Sequence, residues 1–147
     1  MTLKSKAPVV ARSILGAIFF VFGLNGFLNF IPAPPPTGHA AEFFAALAAS
    51  GYLLPLLKGT EVLVGLLLLT GRYVPLALTV LAPVAVNIVA FHLFLAPAGL
   101  ALALAIVGLG VYLAWTERAA FAPLFRTRAA LRAASRQHPH DPAGVAV

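Results

Sequence analysis

Six polar side chains, Asn25, Asn29, Lys58, Glu61, Asn87 and His92, stand in stretches that are otherwise almost wholly apolar. Placing an ionisable group at bilayer depth costs about 2.5–3.5 kcal/mol, so each one needs a partner, water or a function. Asn25 and Asn29 lie four positions apart and Lys58 and Glu61 three, so each pair shares one helical face, and an ion pair within a single helix is available to the second. Asn87 and His92 are five apart, about 140° round a helix, so only one points straight at a common centre unless the helix is distorted, as Pro83 could do. The chemistry within reach of this set is donation from Lys58 or His92 to a carbonyl oxygen of a small ligand, with Glu61 holding the charge balance. The same residues read as packing give a neutralised ion pair, asparagines bonded across helices and a histidine reaching interfacial water. Hydrogen bonds of that kind average about 0.6 kcal/mol in a membrane.

Other chemistry is excluded by what is missing. The chain has no cysteine, so disulfides, thiol redox steps and thiolate metal sites are ruled out within it. Glu42, Glu61, Glu117 and Asp141 are the only carboxylates and are too scattered to pair without tertiary help, and no phosphate loop, metal-binding histidine pair or nucleophile triad is present. His138 and His140 flank Pro139 in a polar tail and read as solvated. Catalytic residues are therefore unassigned, no metal is expected, and the chain is not expected to be catalytic on its own.

The elements that must position the six residues are membrane helices. Of the 147 residues 61% are hydrophobic and 10% charged, beyond the roughly 45–50% apolar share of a soluble domain. Four runs, about 9–30, 52–69, 76–95 and 100–115, approach or exceed the length that crosses about 30 Å of hydrocarbon. The segment 40–50 is too short to span and places Phe43, Phe44 and Leu47 on one face, as a helix at the lipid interface requires. The fold expected is all-α, an integral membrane four-helix bundle over 1–118 with a basic tail, 119–147, that is partly disordered. The first run, with Lys4 and Lys6 before it and Arg12 near its start, shows no cleavage site and is read as a retained span.

Basic residues set the orientation. Lys4 and Lys6 precede the first span and Arg12 lies in its first turn, Arg72 separates the second and third, and Arg118, Arg126, Arg128, Arg132 and Arg136 follow the fourth, while 31–51 and 96–99 carry no lysine or arginine. Both termini are therefore expected in the cytoplasm, and all six polar residues fall between mid-membrane and the outer face. The net charge of +6 is explained by topology, and no nucleic-acid partner is expected. Arg126, Arg128, Arg132 and Arg136 are candidates for contact with anionic lipid, against the plainer reading that they fix topology alone.

The stretch Phe19–Pro32 (FFVFGLNGFLNFIP), the Gly51-Tyr52 and Pro55 opening of a helix carrying Lys58-Gly-Thr-Glu61, and TGRYVPLAL followed by APVAVNIVAFHLFL resemble the DoxX family of small four-span bacterial membrane proteins. The resemblance covers about residues 9–115. It implies a bacterial inner membrane and a four-helix bundle, and its relatives include membrane subunits associated with thiosulfate:quinone oxidoreduction and other redox complexes. The expectation that follows is a membrane subunit or anchor of a redox assembly, with a redox protein as partner and a quinone or small polar molecule in an outer-half pocket. Two rivals use the same residues: a small-solute or proton transporter, and a purely structural or assembly protein. The inner half of the expected spans carries few polar residues, Arg12 and Ser13 at its border and Thr79, which weighs against a transport path. Oligomeric state is left open by the sequence.

Overall fold

The computed structural model describes residues 3–125, and Arg126, Arg128, Arg132 and Arg136 lie outside them. Contacts divide the chain at Glu117–Arg118. The first unit holds α1 (Leu3–Leu28), α2 (Gly38–Ala49), α3 (Leu53–Thr70), α4 (Val74–Phe94) and α5 (Leu100–Thr116), with a single 3₁₀ turn, Pro97–Gly99, before α5. The described part of the second unit is a short helix, α6 (Arg118–Phe121), and a 3₁₀ turn, Ala122–Phe125. Among the described residues there are no strands. Lys6–Leu28, Leu53–Thr70, Val74–Phe94 and Pro97–Thr116 are long and apolar enough to cross a bilayer.

The chain is thus an all-α membrane protein of four spans, as its hydropathy predicts, with helix ends that differ by a few residues. The expected first span, 9–30, is replaced by a helix that begins at Leu3, runs through Pro8 and stops at Leu28. It stops there because Asn29 takes a left-handed backbone, φ 49°, which ends the i to i+4 ladder. Asparagine adopts that conformation more readily than most residues. The second helix of the chain begins at Gly38 and ends at Ala49, against the expected 40–50.

The four spans close into a ring in which α1 packs on α3 and α5, and α4 packs on α3 and α5. The α1–α3 contact is the tightest and runs antiparallel: Gly16 faces Gly65, Leu68 and Leu69, Gly23 faces Glu61 and Val62, and Gly26 faces the Lys58 side chain. Small residues let two backbones approach where lipid offers no hydrophobic drive to associate. The buried core, including Leu15, Phe19, Val64, Leu68, Leu78, Leu81 and Leu113, fills the end of the ring that holds the start of α1 and the α3–α4 connection. Buried positions on α4 stop at Leu81, so its second half is not sealed into the core.

At that closed end Arg12 reaches from α1 to α3, donating from Nη1 to the Leu68 carbonyl at 3.0 Å. The guanidinium lies beside Gly71, which is left-handed at φ 71° and ends α3. The Leu68 carbonyl also accepts from the Gly71 N–H at 3.2 Å, so the arginine adds a second, charged donor there, and a cation at the last carbonyls of a helix opposes the helix dipole. Arg12→Ala is expected to lower stability by about 1–2 kcal/mol, read as a lower thermal midpoint in mild detergent. An unchanged midpoint would mean that Arg12 serves orientation alone.

Candidate functional site

Lys58 and Glu61 form the centre of the predicted set. One turn of α3 brings Lys58 Nζ to Glu61 Oε2 at 2.8 Å. Glu61 is the one buried polar residue among the described residues, 5% exposed, while the Lys58 side chain keeps 23% of its surface. Gly23 makes the burial of Glu61 feasible, because a Cβ there would sit 3.0 Å from the Glu61 Cβ. Gly26 does the same for Lys58, whose methylenes occupy the space a side chain at 26 would fill. An ammonium has three donors and Lys58 uses one on Glu61, so two N–H groups remain without a partner among the described residues. Glu61 Oε1 is likewise unbonded there. The pair lies well inside the helix: Glu61 is eight residues from Leu53, a rise of about 12 Å.

The other four residues do not join it. The Asn25 Oδ1 accepts from the Ile31 N–H at 2.6 Å, which folds the chain back over the end of α1. Asn29 lies one residue beyond that helix, so the expected asparagine pair on one helical face does not exist. His92 Nδ1 stands 2.9 Å from the Ala96 carbonyl, and because a carbonyl only accepts, the ring carries its proton on Nδ1. Its ring also fills the space above Gly99. His92 thereby ties the end of α4 to the turn that opens α5. Asn25, Asn29 and His92 thus satisfy or terminate backbone at helix ends.

Asn87 stands apart. It is exposed, has no hydrogen-bond partner among the described residues, and lines a shallow open recess of about 240 Å³ with Phe43, Ala90, Phe91, Phe94 and Leu95. Phe43 and Phe44 of α2 meet Phe91 with ring centroids 5.6 and 5.3 Å apart, which fixes α2 against α4. The sequence places Phe43 and Phe44 towards lipid and does not anticipate this contact. Its trace was present in Ala90, Phe91 and Phe94, which follow Asn87 at three, four and seven residues on one helical face.

Among the described residues no group of three metal-binding side chains occurs. In comparison with known proteins, the family model described as DoxX matches residues 7–93. No curated protein and no solved structure matches the chain.

Proposed function

We start from the fact that this chain belongs to the DoxX family, and we propose that it is a membrane subunit or anchor of a redox assembly whose Lys58–Glu61 pair holds the carbonyl oxygen of a quinone head group. The observation that carries the proposal is the incompletely satisfied pair: a half-buried ammonium with two unused donors beside a buried carboxylate. Unused donors at membrane depth are costly unless something accepts from them. A neutral carbonyl compound that partitions into lipid meets that need, and Glu61 keeps the site neutral overall. The association of relatives with quinone-linked redox complexes supplies the choice of ligand and the redox partner.

In this reading the protein sits in the bacterial inner membrane with both termini cytoplasmic. Lys6, Arg12 and Arg72 border the closed end, and the connections at the other end carry no lysine or arginine, in keeping with the positive-inside rule. The pair then opens towards the outer leaflet. A continuous transport path is disfavoured by the packed apolar core around Leu15, Phe19, Leu68 and Leu113.

The test is binding of a short-chain ubiquinone to the purified protein in lipid nanodiscs, combined with identification of proteins that co-purify from mild detergent. Saturable binding is expected, weakened about 10- to 100-fold in Lys58→Met, the range set by losing one hydrogen bond to a charged donor. Equal binding by Lys58→Met, or no saturable binding together with no reproducible redox partner, would sink the reading.

A further inference from the structure

We infer that α4 is the contact face of a homodimer, in which the Asn87 amides of two copies bond to one another across the two-fold axis. This goes beyond the Lys58–Glu61 site and uses none of its residues. The starting point is an amide in the wrong place. Asn87 is exposed on a span, seven residues before the end of α4 at Phe94, which puts it about 10 Å below that end. Its short side chain cannot snorkel that distance as a lysine or arginine does. Among the described residues nothing bonds to it, so in a monomer the amide faces hydrocarbon with two donors and one acceptor unpaired.

The surface around it says what covers it. Val86 is 69% exposed and Phe94 77%, and with Leu93 they form a protruding apolar stripe beside a recess that is shallow and open. Sites for small molecules enclose most of their ligand, and this face does not. A helix laid along the stripe covers it, and Ala90, one turn beyond Asn87, leaves room for the close approach. The amide itself selects a second copy over an apolar partner. It both donates and accepts, so a two-fold related Asn87 completes both bonds at once, which is the self-complementarity an isologous interface requires. Two copies with the same membrane topology bring their α4 helices together in parallel, so Asn87 meets Asn87 at equal depth.

The experiment is self-association in lipid vesicles, followed by energy transfer between labelled copies as the protein is diluted with lipid. Asn87→Leu is expected to weaken the dimer about ten-fold, the sum of two interhelical bonds, and Asn87→Gln to retain it. The chain lacks cysteine, so single cysteines can be introduced freely, and oxidation is expected to cross-link Val86→Cys and Ala90→Cys but not Leu104→Cys on α5. A chain that stays monomeric at every dilution, Asn87→Leu that dimerises like the natural chain, or cross-linking that favours α5 would each overturn the inference. So would an Asn87→Leu variant that keeps its dimer and loses the ubiquinone probe, since the recess would then be a ligand site. Should Asn87→Leu fail to fold, the cysteine pattern and Asn87→Gln decide the matter by themselves.

Discussion

Gly65→Ala is expected to pull α1 and α3 apart and to remove most of the folded protein. A Cβ at position 65 would run into the Phe20 backbone nitrogen and lie 2.7 Å from the Phe20 Cα. A side chain in that place could rotate away, but a helix backbone cannot, so the two helices must separate along the contact that also holds Glu61 and Lys58. Overfilling a packed core costs about 1–3 kcal/mol, occasionally more, and a clash with backbone belongs at the upper end. Gly59 and Gly108 provide the control, because a Cβ at either meets nothing within 4 Å. Alanine there removes the flexibility of glycine in a helix and is expected to be neutral or to stabilise by up to about 1 kcal/mol. The readouts are the monodisperse fraction on size exclusion in mild detergent and the thermal midpoint. If Gly65→Ala and Gly59→Ala melt together, the α1–α3 contact is not the one described.

That contrast shows what a single sequence withholds. The four spans are legible because length and hydropathy are one-dimensional quantities, and so are Lys58 and Glu61 as partners, because three residues on one helix settle their distance. Which glycines mediate packing is a different kind of fact. Gly16, Gly23, Gly26, Gly59, Gly65, Gly108 and Gly110 look alike in sequence, yet a Cβ at Gly59, Gly108 or Gly110 meets open space. In a soluble helix the apolar stripe marks the inward face, but these spans are apolar all round and their rotation leaves no periodic trace. The partners of Asn25, His92 and Arg12 were hidden for another reason. Each bonds to the backbone of Ile31, Ala96 or Leu68, and a backbone amide carries no residue type to read. Polar residues in membrane spans read as a functional cluster until the helix ends are known, and three of the six here serve those ends.

The same distinction decides what Lys58 and Glu61 do. Removing one partner of a buried pair costs about 3–5 kcal/mol and breaking an exposed pair less than about 1, and the partly open position of Lys58 puts Glu61→Gln near 2 kcal/mol. The loss comes from an ammonium left without its counter-charge between α1 and α3. Lys58→Met is expected to cost a similar amount through the orphaned carboxylate, which is the more buried of the two. In Lys58→Met/Glu61→Gln no charge remains, the methionine follows the path of the lysine stem beside Gly26, and most of the folded yield is expected to return. Structural and working pairs agree up to this point, so stability alone does not separate them. Binding of the ubiquinone probe does. A pair kept only for packing loses nothing once the double variant refolds, whereas a pair that holds a carbonyl oxygen has lost its donor, and the refolded double variant is expected to bind the probe at least ten-fold more weakly. If the double variant recovers both yield and binding, Lys58 and Glu61 are a structural ion pair and the proposed quinone site is wrong.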